Sequence, residues 1–357
     1  IMPSLVGSEM CIRDRCNMNF TKSFTDTPIP SLIPQKYRKI LEDFFLSYQK
    51  VVQHSKQSIL DYLPFFNTFV ELVKTQIASP YEFGHFHKAV RSPMDYYRFG
   101  IEFLRPAVDM KKSSVIGWDI FAEIEHHLAK GDNVVLFANH QIEADPQAIS
   151  LLLEKSHSDL AENMIFVAGD RVISDPLAVP FSLGRNLLCI YSKKYLHSSS
   201  EEESIKKQEH NKKTIAVMAE LLQVGGKCIY VAPSGGRDRP NEEGIVTVAP
   251  FDEKSIEMFY LIGSRCDHPT HFYPLALSTY EILPPPEELQ VELGEARHVQ
   301  GGSIHLAIGK EIDMENYTVP DTMEKPQKSR YYRCQMIFDQ VVELYNQISH
   351  KSNSKII

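Results

Sequence analysis

Residues 134–146 read VVLFANHQIEADP and decide the fold. The apolar, β-branched beginning predicts a buried strand, and the proline at the end suits the first turn of a following helix. His140 would then lie where the strand ends and Asp145 where the helix begins. In an open sheet of parallel strands, ligands bind beyond this edge.

Similar short apolar runs return along the chain, with helical patterns between them. The runs lie at 164–168, 188–191, 228–232 and 272–277, and the helical patterns at 146–155, 204–223 and 253–263. Strands that alternate with helices are typical of a parallel sheet with helices packed over both faces. We therefore predict an α/β fold with a mixed, largely parallel sheet, closed by a last helix beyond residue 330.

The chain before the first strand has a different texture. Residues 34–78 carry two apolar stripes with helical spacing, which predict antiparallel helices that bury one another or, as the alternative, a membrane-surface face. Residues 1–17 are unlike the rest and are expected to be a non-native or disordered tail that precedes a true start at Met18. The predicted division is a tail at 1–17, a small helical-bundle domain at 18–92 and an α/β catalytic domain at 93–357.

Composition limits the function. The 357 residues include 38 Lys+Arg against 46 Asp+Glu, a formal net charge of -8, which argues against a nucleic-acid partner. No run approaches the roughly 18 apolar residues of a membrane-spanning helix, so at most peripheral membrane contact is expected. The six cysteines are scattered without a C-x-x-C pair, which favours a reducing compartment. Any anion pocket must therefore be built from clustered cations.

His140 and Asp145 form a candidate catalytic pair, since the turn between them is short. A carboxylate bonded to one imidazole nitrogen fixes the tautomer and leaves the other nitrogen able to accept a proton from a hydroxyl. The alternative is that Asp145 only caps the helix and His140 is an ordinary loop residue. No serine or cysteine stands in a nucleophile-elbow context, which favours direct transfer to a substrate hydroxyl.

Cationic side chains follow the other predicted strand ends: Arg171, Arg185, Lys193, Lys194, Arg237 and Arg239. The last two lie in APSGGRDRP, residues 232–240, where the glycines allow close approach of the backbone to a ligand. Paired arginines suit bidentate phosphate recognition, although a surface turn with Arg–Asp pairs has the same sequence. Cations at three strand ends favour a phosphate site.

Several blocks in this order resemble a known family. The blocks NHQIEADP, AGDRVISDP, GRNLLCIYSKK, APSGGRDRP and PLAL, with FGHFHKAVRSPMDYY before them, are similar to those of the soluble glycerol-3-phosphate acyltransferases of plastids and chlamydia-like bacteria. The resemblance extends from about residue 85 to about residue 310. It implies transfer of a fatty acyl group from acyl-acyl carrier protein, or acyl-CoA, to the sn-1 hydroxyl of glycerol-3-phosphate, giving lysophosphatidic acid. It implies neither a metal nor a redox cofactor.

The resemblance also implies roles for individual residues. His140 is the general base and Asp145 its orienter, while the phosphate is bound by Lys194, Arg237 and Arg239. Lys193, Tyr195 and Arg185 are supporting candidates. The family often has His where this chain has Tyr195, and a phenol brings no positive charge.

Two other functions remain open from the residues themselves: a lysophospholipid acyltransferase, and a non-catalytic module that binds phosphate or acyl carrier protein. Four lysines on the helical pattern after residue 200 offer a docking face for an acidic carrier or an ordinary solvated face: Lys206, Lys207, Lys212 and Lys213. The N-terminal helices are a second candidate for donor handling. The lack of a recognisable transit peptide favours the bacterial cytoplasm, with the plastid stroma as the alternative.

Overall fold

A mixed sheet organises the computed structural model, which describes residues 32–55, 58–191, 200–286, 293–317 and 325–352. Within those residues the strands are β1 (Phe86–His87), β2 (Ser114–Ile116), β3 (Asn133–Ala138), β4 (Ile165–Gly169), β5 (Asn186–Ile190), β6 (Cys228–Val231), β7 (Arg239–Pro240), β8 (Val246–Thr247), β9 (Thr270–Ser278) and β10 (His305–Ile308). Eight of them form one sheet in the order β1-β5-β4-β6-β3-β9-β10-β2, and β7 pairs with β8 in a separate ribbon. The pairings β1–β5 and β9–β10 are antiparallel and the other pairings of the large sheet are parallel, which confirms the predicted fold class.

Helices connect and cover these strands. In the described residues they are α1 (Gln35–His54), α2 (Ile59–Ala78), α3 (Tyr96–Leu104), α4 (Trp118–Ala129), α5 (Asp145–Leu153), α6 (Ser158–Asn163), α7 (Asp170–Ser174), α8 (Val179–Ser182), α9 (Glu201–Val224), α10 (Glu253–Gly263) and α11 (Lys325–Ser352). Within the same ranges, none of them is long and apolar enough to cross a membrane.

The central strand β3 is buried on both faces. Its side chains alternate, so that Val134, Leu136 and Ala138 enter one apolar cluster while Val135 and Phe137 enter a second cluster on the opposite face. All six of its residues are buried, as expected for a strand covered by helices on both sides. The end of the strand, and with it His140, is therefore anchored to a fully buried part of the sheet.

The apolar stripes of α1 and α2 pack inward through an aromatic cluster. The Tyr48 and Phe103 rings lie 5.0 Å apart, and the Phe69 and Phe181 rings lie 5.2 Å apart. The Tyr48 hydroxyl also donates a hydrogen bond of 2.9 Å to the carbonyl of Phe103. The division at residue 93 stays a prediction, and the expected tail at 1–17, like Met18, lies outside the described residues.

Besides the five predicted strands, the described part of the large sheet contains β1 and β2 at its two edges and β10 between β9 and β2, and β7 and β8 form the separate ribbon. Two to four residues carry too little alternation to distinguish a strand from a loop, and these strands are defined by their partners.

Candidate active site

The candidate residues collect at one edge of the sheet, beyond the carboxyl ends of the parallel strands. His140 follows β3, Arg171 lies in α7 directly after β4, and Arg237 follows β6. Thr279 follows β9, the neighbour of β3. This is the position at which a parallel sheet presents loop side chains to a ligand.

His140 and Asp145 are brought together as predicted from their spacing. The Nδ1 atom of His140 lies 2.8 Å from Oδ2 of Asp145. Asp145 is buried, whereas the side chain of His140 is 30% exposed. A carboxylate can only accept a hydrogen bond, so Nδ1 of His140 must donate one and must carry the proton of the neutral ring. Nε2 is then the nitrogen that can accept a proton.

Asp145 is more than a helix cap. Its Oδ2 also accepts hydrogen bonds from the backbone N–H groups of Gln141 and Ile142, at 2.8 and 3.2 Å, and its Oδ1 accepts from the Thr279 hydroxyl at 2.6 Å. The two backbone donors lie in the loop before α5, and Thr279 lies directly after β9. No side chain caps the first turn of α5, so the interpretation of Asp145 as an N-cap alone is wrong.

The two neighbours of His140 are tied to the rest of the sheet. Asn139 exchanges hydrogen bonds with the backbone of Leu277, at 2.9 and 2.7 Å, and donates to Oδ2 of Asp238 at 2.7 Å. Gln141 accepts from the backbone N–H groups of Thr279 and Tyr280 at 2.7 and 3.0 Å. The loop that carries His140 is thus bonded on both sides of the histidine. Sequence reasoning missed both amides because their partners are distant in the chain.

Asp238 is a buried carboxylate at the centre of this network. Its backbone N–H donates to the carbonyl of His140 at 2.6 Å, and its Oδ1 accepts from the backbone N–H of Ala249 at 2.9 Å. Burial raises the pKa of Asp238 to about 6, against the opposing effect of its hydrogen bonds. Burial likewise raises the pKa of the Tyr230 hydroxyl, which donates to the carbonyl of Asn139.

Arg237 and Arg239, the predicted phosphate ligands, both have protein partners here. The Nη2 of Arg237 lies 2.6 and 2.8 Å from the two carboxylate oxygens of Glu295. Arg171 is a weaker partner of the same carboxylate, at 3.8 Å. Arg239 donates to the backbone carbonyl of Pro286. Glu295 is thus paired with Arg237 and Arg171, whereas Arg239 is bonded to the backbone.

A further arginine at the site escaped the sequence analysis. Arg297 is buried, contacts Glu143 through Nε and Nη2 at 2.9 and 3.1 Å, and contacts Asp175 at 3.2 Å. Its Nη1 donates to the backbone carbonyl of Glu295 at 2.7 Å. These carboxylates raise the pKa of Arg297 against the effect of burial, which is the largest single influence. Arg297 follows no strand directly, so no strand-end signal marks it.

Arg185 is buried and incompletely bonded. Its Nη1 donates to the Ser150 hydroxyl at 2.6 Å, and its guanidinium stacks on the Tyr97 ring at 4.6 Å. Its Nε and Nη2 have no hydrogen-bond partner in the described structure. Burial lowers the pKa of Arg185 to about 10. Lys193, Lys194 and Tyr195 lie outside the described residues.

An apolar cavity of about 170 Å³ opens beside His140. Its polar wall includes His140, Asp145, Arg185 and Arg297. Its apolar wall comes from the N-terminal helices as well as from the sheet and its loops: Phe44, Tyr48, Phe69, Phe103, Phe166, Phe181, Leu187 and Val299. The arrangement places a proton acceptor at the boundary between a charged rim and a space suited to a hydrocarbon chain.

The fold and this His–Asp edge define a class of transferase. The acyltransferase family model matches residues 119–278, a range that contains His140, Asp145, Arg237 and Arg239.

Comparison with known proteins defines the family more closely. The chain is 40% identical over 317 residues to glycerol-3-phosphate acyltransferase ATS12, chloroplastic, of Cucurbita moschata, covering 88% of this chain and 68% of that protein. It is 40% identical to the chloroplastic enzyme of Spinacia oleracea and 39% identical to that of Arabidopsis thaliana, covering 88% of this chain in both cases and 66% and 68% of those proteins. The chain belongs to the glycerol-3-phosphate acyltransferase family, as the sequence blocks predict.

The prediction of a bacterial cytoplasmic protein is wrong. The relatives compared above are chloroplast proteins. A missing leader signal is a poor guide to the compartment, because the chain spans only about two thirds of the length of these relatives.

Proposed function

We propose that this acyltransferase moves a fatty acyl group to the sn-1 hydroxyl of glycerol-3-phosphate, with His140 as the general base and Asp145 as its orienter. The observation that carries the proposal is the 2.8 Å contact between His140 Nδ1 and Asp145 Oδ2 at the mouth of an apolar cavity. A charged rim and an apolar space meet at that histidine, as a phosphorylated acceptor and an acyl donor require.

In the proposed reaction, Nε2 of His140 removes the proton of the acceptor hydroxyl as its oxygen attacks the thioester carbonyl. The tetrahedral intermediate collapses, the carbon–sulfur bond breaks, and the imidazolium returns its proton to the departing sulfur. Asp145 stabilises the imidazolium between these steps. The positive end of the α5 dipole lies near the developing oxyanion and favours it. Base catalysis of this kind contributes roughly 10²–10⁴ to the rate.

The acceptor phosphate is proposed to bind Arg237 and Arg239, together with Lys194, and Lys193, Tyr195 and Arg185 are supporting candidates. In the described structure a single nitrogen of Arg237, Nη2, contacts both carboxylate oxygens of Glu295, so the phosphate would have to displace that carboxylate. A guanidinium can bind phosphate as well as carboxylate, which makes such an exchange chemically reasonable.

The acyl chain is proposed to occupy the aromatic cavity between the sheet and the N-terminal helices. Tyr48 and Phe103 contribute to its wall. The donor is proposed to be acyl-acyl carrier protein, with acyl-CoA as a substitute. Of the lysines on α9 considered for docking, Lys206 is already paired with Glu202 at 2.8 Å in an exposed position, which weakens the case for that face.

The proposed compartment is the plastid, as for the relatives compared above.

The deciding experiment identifies the product. Purified protein is incubated with acyl-acyl carrier protein or acyl-CoA and with either glycerol-3-phosphate or lysophosphatidate, and the acylated lipid is analysed for position. Acylation of glycerol-3-phosphate at sn-1 supports the proposal. Acylation of lysophosphatidate alone would establish the lysophospholipid alternative, and no product from any pair would favour the non-catalytic module.

His140→Ala tests the base. We expect kcat to fall by about 10²–10⁴ while the circular dichroism spectrum is unchanged, because the partly exposed side chain of His140 lies in a loop at the edge of the core. A folded variant with near-normal kcat would overturn the assignment.

Arg237→Ala and Arg239→Ala test the phosphate site. We expect each to raise KM for glycerol-3-phosphate much more than KM for the acyl donor, because only the acceptor carries the phosphomonoester. An equal rise for both substrates would contradict the proposed phosphate role.

A further inference from the structure

A second cluster of ligating side chains lies at the opposite edge of the sheet. His127 stands in the last turn of α4, Asp132 in the turn before β3, and His271 near the start of β9. Because β3 rises about 3.3 Å per residue, this cluster is about 20 Å from His140. Nothing in the proposed reaction uses it.

The backbone holds these three residues together. The N–H of Asp132 bonds to the carbonyl of His127 at 3.1 Å, which closes the turn between α4 and β3. His271 is the registered partner of Val134, two residues after Asp132, on the adjacent parallel strand. The turn and the strand pairing thus bring all three side chains to one point.

The distances suit a shared cation. His127 Nδ1 lies 3.5 Å and His271 Nε2 lies 3.3 Å from the same atom, Oδ2 of Asp132. Two ligands of one tetrahedral zinc, each 2.0–2.2 Å from the ion, are separated by about 3.3–3.5 Å. The candidate donor atoms of the three residues lie within 4.8 Å of one another.

The two imidazoles lie side by side at this carboxylate. His127 Nδ1 is buried, and its contact with Oδ2 of Asp132, at 3.5 Å, is longer than an ordinary hydrogen bond. The rings of His127 and His271 are neighbours, with centroids 3.6 Å apart. The separation between the nitrogen and the oxygen is thus closer to that of two ligands of one ion than to that of a strong hydrogen bond.

The second ring nitrogen of His271 is oriented by a carboxylate, and that of His127 has a carboxylate nearby. His271 Nδ1 lies 2.7 Å from Oε1 of Glu311, and His127 Nε2 lies 3.8 Å from Oε1 of Glu123, which also accepts from the Tyr273 hydroxyl at 2.8 Å. Metal-binding histidines characteristically direct their second nitrogen at a carboxylate, which fixes the tautomer and raises ligand basicity.

The charge of the cluster also favours a cation. Three carboxylates surround the two histidines: Glu123, Asp132 and Glu311. In the described parts of the chain, no Lys or Arg nitrogen lies within 4 Å of their oxygens. A divalent ion would offset this negative charge.

We propose that His127, Asp132 and His271 bind a divalent transition-metal ion of the zinc class, with a water as the fourth ligand. Two imidazoles and one carboxylate match the ligand preference of Zn²⁺ and not the all-oxygen preference of Mg²⁺ or Ca²⁺. The ion would fasten the end of α4 to the starts of β3 and β9, a structural role apart from the acyl transfer.

The test measures metal binding without substrate. The full chain is stripped with EDTA, dialysed, and titrated with Zn²⁺ by calorimetry and with Co²⁺ by visible absorption. We expect the chain to bind one Zn²⁺ ion. We expect His127→Ala, Asp132→Asn and His271→Ala each to weaken Zn²⁺ binding by more than tenfold. Glu311→Gln is expected to weaken it by about 10–100-fold, as for other carboxylates that orient a ligating histidine.

His126→Ala is the matched control, since His126 is the exposed neighbour of His127 on the same helix. The affinity of His126→Ala for Zn²⁺ should equal that of the unaltered protein. Absence of a Zn²⁺ equivalent in the unaltered chain, or an unchanged equivalent in folded His271→Ala, would overturn the proposal. If an alanine variant does not fold, the near-isosteric Asp132→Asn and Glu311→Gln variants decide in the same way.

Discussion

Asp145 is 1% exposed, and its two oxygens accept four hydrogen bonds, from His140, from two backbone N–H groups and from Thr279. A carboxylate held in this way cannot rotate away from the imidazole, so the orientation of His140 is set before substrate arrives. The cost of burying the charge is offset by these bonds.

We expect Asp145→Asn to lower kcat by about 10²–10⁴ with little change in KM for glycerol-3-phosphate. The amide oxygen can keep the position of Oδ2, and the amide nitrogen can donate to Thr279 Oγ1, so mainly the negative charge is lost. Steady-state kinetics of the folded variant provide the measurement. Thr279→Val, which removes one bond and no charge, should cost less, and a larger effect from Thr279→Val would contradict the charge argument.

At Asp238 the cost of burying a charge outweighs the hydrogen bonds that stabilise the carboxylate. Burial therefore raises the pKa of Asp238 to about 6. A carboxyl group whose folded pKa exceeds its unfolded value stabilises the fold fully below the unfolded pKa, near 4, and that contribution is lost as the pH rises through about 6.

The stabilisation lost between pH 4 and pH 7 is roughly 2 kcal/mol, since each pKa unit is worth about 1.4 kcal/mol and the unfolded carboxyl is already partly ionised at pH 4. Urea unfolding of the unaltered protein and of Asp238→Asn at both pH values measures it. The Asp238→Asn variant should be less stable at every pH, because Asn139 and Gln141 lose a carboxylate oxygen to which they donate. Its free energy of unfolding relative to that of the unaltered protein should nevertheless rise from pH 4 to pH 7. A constant difference would disprove the titration of Asp238.

Helix α3 and the turn before β5 approach each other at backbone distance. A Cβ on Gly184 would lie 2.5 Å from the carbonyl carbon and oxygen of Tyr96, at the start of α3. The glycine therefore permits the contact that positions the next residue, Arg185, against Tyr97.

Gly184→Ala is expected to lower the free energy of unfolding by about 1–3 kcal/mol, because backbone atoms must shift to admit the methyl group. Gly169→Ala is the control, since a Cβ there meets nothing within 4 Å and φ is -72°. Thermal or urea unfolding compares the two. Equal stabilities would show that the turn accommodates a side chain freely.

The N-terminal helices share their aromatic core with the catalytic part of the chain. Phe66 in α2 is fully buried, with its ring 4.7 Å from that of Phe45 and 6.3 Å from that of Phe103. The proposed acyl cavity is bounded by the same cluster, so packing in this region bears on both stability and donor binding.

Phe66→Ala should therefore destabilise the whole protein by about 3–5 kcal/mol, with a single unfolding transition for the helices and the sheet. Calorimetry measures both quantities. Leu60→Ala on the same helix is the control, because Leu60 is 64% exposed and its loss should change stability by less than about 0.5 kcal/mol. Two separate transitions would mean that the helices form an independent domain.

The class of fold and the contact between His140 and Asp145 follow from local sequence. A continuous run of apolar residues predicts a buried strand such as β3. The turn from His140 to Asp145 is short enough that the two side chains can meet without help from another part of the chain. The order of strands and helices could be predicted because each element has its own apolar pattern. The boundaries of the short edge strands could not be predicted, because pairing with neighbouring strands defines them.

Contacts between distant segments were decided by tertiary structure alone. Arg297 bonds to Glu143 across 154 residues and Thr279 to Asp145 across 134, and neither partner carries a local signal. The cluster of His127, Asp132 and His271 likewise exists only because β3 pairs with β9. Spacing along the chain can specify a strand, the turn after it and the histidine in that turn, whereas the groups that hold and surround this histidine depend on which strands become neighbours in the sheet.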